Sequence, residues 1–180
     1  MRVLIFGEAY CPDELRRQML PWHAGGPPAA HDPALRPASM LLVDGARVLA
    51  ALDLLFKEIT HAGAPFAAAG LSRVITDPAE RRRGYGKRLI GAAGAEMAAR
   101  GVDVGIFTAD RPLRRFYESG GWTALPGTVL IGGTPEEPFP SNRFDKLTFA
   151  AFFTDRARTH ARSFSGSRIG LYSGEIDRLW

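Results

Sequence analysis

The chain has 180 residues, 46% hydrophobic and 23% charged; this composition is that of an ordinary soluble domain and excludes disorder, collagen-like repeats and coiled coil. A single cysteine, Cys11, excludes an internal disulfide framework and a cysteine-built zinc cage. The net charge of +4 favours an anionic partner: nucleic acid, a membrane surface or a phosphorylated small molecule.

The length predicts one domain over 1–180. No apolar run approaches the ~20 residues of a membrane span. The opening Met1–Gly7 is an apolar burst too short for a signal-peptide core, so it predicts a strand of a cytoplasmic protein. Pro12 and Asp13 start a short helix that stops at Pro21. Ala24 to Pro37, with Gly-Gly-Pro-Pro and Asp-Pro, predicts a loop. Met40–Val43 is a strand, and Asp44-Gly45 predicts a hairpin turn with positive φ at both central positions. Val48–Ile59 is the returning strand, His61 to Pro65 a turn, and Phe66–Thr76 the third strand of an antiparallel meander.

The period then changes. Gly86, Leu89, Ile90, Ala93 and Met97 recur every three or four residues, the apolar face of a helix from about Gly84 to Arg100, with Gly101 placed to end it. Val102–Thr108 alternates as a strand. Arg111–Ser119 is a second helix, with Pro112 in its first turn and Gly120 at its end. Strands follow at Gly127–Ile131 and Lys146–Phe153, separated by a loop over Gly132–Asn142, and Ala157–Ser173 shows no clear pattern. Strands first, then strand-helix-strand-helix, then strands again predict a mixed α+β sheet, not a doubly wound one.

The chemistry sits in Leu71 to Trp122. A strand, Val74-Ile75-Thr76, runs through Asp77-Pro78 into Arg81-Arg82-Arg83-Gly84-Tyr85-Gly86-Lys87-Arg88, where a helix begins. The first turn of a helix has free N–H groups and partial positive charge, and glycines let a phosphate approach the backbone. Five basic residues surround the two glycines, so the junction suits a diphosphate. It is not a Walker loop, since Gly86-Lys87 is followed by arginine and not by a hydroxyl residue, and Leu89 stands where a dinucleotide fingerprint needs its third glycine. The four histidines, His23, His31, His61 and His160, show no metal-ligand spacing. Neither an aromatic platform nor a recognition helix accompanies the basic patch, which argues against nucleic acid.

The stretch Arg81-Arg82-Arg83-Gly84-Tyr85-Gly86 resembles the acetyl-CoA pyrophosphate loop of the GNAT N-acetyltransferases. The run Arg115-Phe116-Tyr117-Glu118-Ser119-Gly120-Gly121-Trp122 resembles that family's second signature, an aromatic pair on a short helix followed by glycine and an aromatic. The resemblance implies a GNAT-like, mostly antiparallel sheet flanked by helices, with a V-shaped split between its central strands and acetyl-CoA in the cleft. It implies that backbone groups of Val74, Ile75 and Thr76 pair with the pantetheine arm, and that the amides of Arg81 to Lys87 hold the pyrophosphate. Arg82, Arg83 or Arg88 would reach the remaining phosphate. Tyr117 matches the family's acid for the leaving thiolate, and an N–H near Ile75 would serve the oxyanion.

Amine attack on a thioester also needs a base. Glu58 on the preceding strand is the first candidate, directly or through water; His61 and His23 are others. Ser72 stands where some relatives carry an acid. The end Gly174 to Trp180 is similar, more weakly, to the aminoglycoside 2'-N-acetyltransferases, which implies that Asp177 and the carboxylate of Trp180 line the acceptor pocket. The expected partner is a small-molecule amine, with a homodimer implied at family level and no membrane. Aminoglycoside acetylation, a peptide or protein amine, or an acyl-CoA sensor without turnover remains an alternative.

Overall fold

Alternating apolar residues build the first half of the chain into an antiparallel meander in the computed structural model, which describes residues 1–23, 26 and 28–180. Strand β1 (Arg2–Gly7) is an edge strand, paired with β2 (Ala38–Asp44) from Arg2↔Val43 to Gly7↔Ala38. Helix α1 (Asp13–Met19) lies between them in sequence. Of the loop expected over 24–37, residues 24, 25 and 27 lie outside the described residues; Pro33–Leu35 forms a 3-10 turn capped by the Asp32 carboxylate. Strands β3 (Arg47–His61) and β4 (Ala64–Thr76) complete the meander.

Both hairpins differ from expectation by small shifts. The first turn centres on Gly45–Ala46, one residue later, and only Gly45 has positive φ (57°). That is the two-residue turn with glycine first, which matches the strand twist as well as the form with two positive φ values. In the second, Ala62 and Gly63 both have positive φ (49° and 76°), so His61 and Pro65 are absorbed into the strands.

Helix α2 (Tyr85–Ala99) buries Leu89, Ile90, Ala93 and Met97 on the sheet, as their spacing requires. Strand β5 (Val104–Asp110) follows. The second expected helix starts as a 3-10 turn, Arg111–Leu113, and becomes helix α3 only over Arg114–Ser119. Then come β6 (Thr123–Leu125), β7 (Val129–Gly133), β8 (Pro138–Pro140), β9 (Lys146–Phe152), helix α4 (Asp155–Phe164) and β10 (Arg168–Gly170). Strand β8 falls inside the loop expected over 132–142. Helix α4 had no legible pattern because it buries only Ala157 and Phe164; Thr154 caps it by accepting from the Ala157 N–H.

The main sheet has seven strands in the order β1-β2-β3-β4-β5-β9-β6, and a smaller one has the order β10-β7-β8. In the main sheet only β4 and β5 run parallel. The result is a mixed, mostly antiparallel α+β sheet, with α2 and α3 on one face and α1 on the other. The small sheet joins it through Leu130 and Ile169, which pack with Ile59, Phe66 and Val104. Among the described residues no helix is long and apolar enough to cross a membrane.

Candidate functional site

Strands β4 and β5 pair at only two positions, Ala68↔Val104 and Ala69↔Gly105. Beyond them β4 continues from Gly70 to Thr76 with β3 as its neighbour, and β5 continues with β9. The sheet therefore splits in a V, and the facing strand edges carry backbone groups that an extended ligand can pair with as an added strand. A β-bulge lies on the β4 side of the split. Asp53↔Ser72 and Ala51↔Ile75 are in register, so two residues of β4 oppose one of β3, and the bulged Arg73 has φ of 49°.

Past Thr76 the chain tightens into a loop. Asp77 accepts from the Ala79 N–H (2.9 Å) and pairs with Arg47; those two contacts hold its carboxyl below the usual range. Glu80 is clamped between Arg47 (2.8 Å) and Arg83 (3.1 Å). Arg82 and Gly84 then take left-handed φ values of 66° and 83°. Gly84 is the N-cap of α2 and offers no side chain to the first turn, which also holds no acid. The first internal bond runs from the Arg88 N–H to the Gly84 carbonyl, so the N–H groups of Tyr85, Gly86 and Lys87 are free for an anion. Arg81, Arg82 and Lys87 are exposed and form no ion pair among the described residues, whereas Arg83 is held by Glu80 and Arg88 reaches the Met1 carbonyl. Gly86 is buried, with room for a Cβ only 3.0 Å from Thr76 Oγ1 and 3.2 Å from the Phe116 ring. The start of α2 is thereby pressed against the end of β4 and against α3.

Helix α3 carries Tyr117 into an aromatic cluster with Phe107, Phe116 and Phe149. Only 6% of the residue is exposed. Its hydroxyl takes no partner among the described residues and is not sealed from solvent. Burial, with help from Asp110, pushes its pKa up to about 12. The group is thus a proton donor at any neutral pH.

On the α1 face a cavity of about 790 Å³ opens beside the bulge, lined among others by Glu8, Cys11, Ser39, Asp53, Arg73 and Ile75. The same wall carries a charge network, backed by Asp177, that has no signal in the sequence. His31, 2% exposed, bonds Asp177 through Nδ1 (2.6 Å) and Asp53 through Nε2 (3.2 Å). Ser39 Oγ donates to Asp53 (2.6 Å), and Arg73 lies 3.3 Å from Glu8 and 3.9 Å from Asp53. Burial works against a charged His31, but its bonds to Asp177 and Asp53 outweigh it and raise its pKa to about 9. Asp177 is pushed up by burial, yet ends below the usual range because of the His31 bond and charge. Glu8, His31 and Asp53 approach as metal ligands would. However, both ring nitrogens of His31 are taken and Arg73 already supplies a cation, so the cluster reads as a salt-bridge network. No sequence signal announces it, because His31 lies 22 residues from Asp53 and 146 from Asp177.

The fold thus gathers Val74, Ile75, Thr76, the 81–88 loop and Tyr117 around the split. Glu58 is not with them. It is exposed, opposite Ala67 on the closed side of the split, and outside the cavity lining. Asp177 is also off the cavity wall, 7% exposed behind His31. Trp180 lies against Gly70 on β4. His23 lines the cavity, while His61 bonds Ser163 Oγ (2.9 Å) and rests on Phe164.

No curated protein sequence matches the chain. Among solved structures, a probable N-acyltransferase from Enterococcus faecalis V583 aligns at 16% identity and TM-score 0.54, over 69% of this chain and 32% of its own. The present chain therefore spans about a third of that protein. An acyl-CoA N-acyltransferase from Pseudomonas aeruginosa aligns at 17% identity and TM-score 0.55, over 83% of this chain and 97% of its own. An aminoglycoside 6'-N-acetyltransferase, solved with coenzyme A, aligns at 13% identity and TM-score 0.54, over 87% and 99%. At such identities the likeness is one of fold. The sequence itself matches the family model described as acetyltransferase (GNAT) domain over residues 27–125. That span is more than half of the chain and contains strands β2 to β4 of the meander, the split strands, the basic loop and Tyr117, and by it the chain belongs to the GNAT acetyltransferase family.

Proposed function

We propose that the chain moves an acetyl group from acetyl-CoA to the primary amine of a small molecule, by direct attack of the amine. The observation that carries this reading is the β4 edge from Gly70 to Thr76, unclaimed by β5, which leads straight into free helix N–H groups flanked by exposed Arg81, Arg82 and Lys87. A long ligand with a peptide-like arm and a diphosphate fits that succession of groups.

Acetyl-CoA supplies an acyl group activated as a thioester; a C–N bond forms, the C–S bond breaks, and the amine loses one proton. The backbone of Val74 to Thr76 pairs with the arm. The 81–87 amides hold the pyrophosphate, with Arg82, itself in the left-handed turn, an exposed cation beside them. An N–H near Ile75 donates to the carbonyl oxygen as charge develops there. Tyr117 donates its proton to the departing sulfur. The amine enters from the cavity on the α1 face, and its proton leaves toward the acids there, Glu8 and Asp53, in place of the distant Glu58. Those acids are already answered by Arg73 and His31, and Arg16, Arg36 and Arg100 line the same cavity. A polycationic acceptor such as an aminoglycoside finds no surplus of negative charge, so this reading ranks a monoamine ahead of it.

The test is calorimetric titration with acetyl-CoA, desulfo-CoA and NAD, followed by an amine screen that monitors thiol release. Binding of the two CoA species but not NAD, with turnover on at least one amine, supports the proposal; no binding of acetyl-CoA overturns it. Binding without turnover on any amine would point instead to an acyl-CoA sensor. For the loop, Arg82→Ala combined with Lys87→Ala is expected to weaken CoA binding at least about tenfold, since a charge-assisted contact contributes about 1.5–3 kcal/mol and 1.4 kcal/mol is a factor of ten. The loss should shrink as salt is raised. An unchanged affinity would put the pyrophosphate elsewhere.

A further inference from the structure

On the α1 face two rows of cross-strand neighbours run outward from the split. The first is Ile75 on β4, Ala51 on β3, Leu41 on β2 and Leu4 on β1, each in register with the next. It is apolar throughout. The second lies two residues along β1, β2 and β3, past the bulge on β4, and so on the same face. It consists of Ser72, Asp53, Ser39 and Phe6, polar in the middle and aromatic at its outer end. Ala51 and Leu41 are buried in the core under α1, while Phe6, Met19 and Ile75 pack on that core and stay half-buried. These last three line the cavity, together with Leu20 just past α1 and Tyr10, which is 84% exposed.

Asp53 is the acid on this surface that stands beside the acyl position. Ile75 faces Ala51, and Asp53 is the next residue of β3 on that face, so the two are diagonal neighbours at roughly 7–8 Å. A nitrogen between them meets both a carbonyl held at Ile75 and the Asp53 carboxylate. That carboxylate is 14% exposed and accepts from Ser39 Oγ (2.6 Å) and His31 Nε2 (3.2 Å). A carboxylate has about four acceptor positions, so Asp53, fixed from behind, keeps room for an ammonium N–H. The other acid of the wall, Glu8, is taken by Arg73 and by the His31 N–H. Outward from Asp53, Phe6 stands two strand spacings away, roughly 10 Å.

We propose that the acceptor is an amphipathic primary amine, with its ammonium on Asp53 and an apolar body reaching toward Phe6, Met19 and Tyr10. The inference rests on the acyl-CoA reading above and names its substrate class. A cavity of about 790 Å³, apolar with a few convergent polar groups, has the size and lining of a small-molecule site. A second charge along the body would lie on Phe6 and Met19 and lose its water. The arginines of the lining do not answer an anionic tail either. Arg16 is taken by the carbonyls of Glu8 (3.2 Å) and Cys11 (3.1 Å). Arg36 and Arg100 turn to the ring of Phe56, which packs on the opposite face of the sheet.

The test measures kcat/KM at saturating acetyl-CoA for ethylamine, butylamine and hexylamine, with hexamethylenediamine and ε-aminocaproate as charged counterparts of the last. Burial of one methylene is a factor of about four. Hexylamine is therefore expected to exceed ethylamine on the order of 100-fold, and each charged counterpart by at least about tenfold. Met19→Gln, which puts an amide on the wall, should flatten the alkyl series. Asp53→Asn should weaken every amine by a similar factor and preserve the series. A flat series in the wild type, or a preference for the diamine or the aminocaproate, overturns the inference while the acyl-CoA reading stands. A Met19→Gln variant that is folded by thermal melt and keeps the wild-type slope overturns it too. Acetyl-CoA binding without turnover on any of these amines also removes it. If acetyl-CoA does not bind, both fall. The wild-type series decides the matter even where a variant fails to fold.

Discussion

Tyr117→Phe is expected to lower kcat by about 10²–10⁴-fold, the range that a positioned general acid contributes, while leaving the affinity for acetyl-CoA within a few-fold. The hydroxyl is the only atom removed, and it has no partner among the described residues, so nothing in the fold is left unpaired. The ring keeps its contacts with Phe107, Phe116 and Phe149. With a pKa of about 12 the phenol stays protonated through the working range, and so wild-type turnover should show no loss from this group as pH rises from 7 to 9. The leaving thiolate gives the effect a further signature. An acyl-CoA analogue with a more acidic thiol needs less help, and the variant should recover part of its rate on it. A variant with wild-type kcat would remove Tyr117 from the chemistry and leave it a core residue.

His31→Ala is expected to destabilise the chain by about 3–5 kcal/mol, the cost of breaking a buried ion pair from one side. At this chain length that is a fall in Tm of about 10 °C. The reason is local. The His31 ring bonds two carboxylates at once, Asp53 and Asp177, of which Asp177 is 7% exposed. Without the imidazolium, Asp53 on the cavity wall keeps Ser39 Oγ and the more distant Arg73, and Asp177 behind it keeps the Asp32 N–H, with no cation in contact with Asp177 among the described residues. The same bonds make stability depend on pH. The folded pKa of about 9 lies above the ordinary value of about 6.5, so the folded state holds the proton more tightly. The contribution is complete below about pH 6.5, declines as pH rises, and is gone above about pH 9, a swing on the order of 3 kcal/mol. Asp177 acts in the opposite sense. Its folded pKa is lowered, so its contribution is present above the ordinary carboxylate range and is lost in acid. Denaturant melts at closely spaced pH values read both. His31→Gln, uncharged at every pH, should lack the decline between pH 6.5 and 9; if it follows the wild-type curve, the decline belongs to other groups.

The basic loop and the helix that follows it were legible in the sequence because their signals are local. Two glycines, a run of basic residues and a helical period of apolar residues lie within 17 positions of one another, and short-range sterics translate each into geometry. Gly84 at φ 83° is the N-cap of α2, and Leu89, Ile90, Ala93 and Met97 face the sheet. The charge network on the α1 face was not legible, because its residues are drawn from four separate stretches of chain. Glu8, His31, Asp53 and Asp177 carry no mutual spacing, and only the pairing of β1, β2 and β3 and the return of the Ser173–Trp180 segment bring them together. The choice of Glu58 shows the same limit. Alternation along β3 says which residues share a face; which end of β3 the split opens at depends on where β5 stops pairing with β4.

Local periodicity and turn chemistry specify the order of most strands and helices, the basic loop before α2 and the aromatic helix with Tyr117, and with them the family match. Tertiary structure alone decided that β9 inserts between β5 and β6, that α4 forms from a stretch with two buried residues, and that a tryptophan 110 residues downstream of Gly70 comes to rest on it. The physical reason is that long-range packing depends on which surfaces are left over once local structure has formed. Those surfaces, here a bare glycine at a strand junction and an unpaired strand edge, exist only in three dimensions.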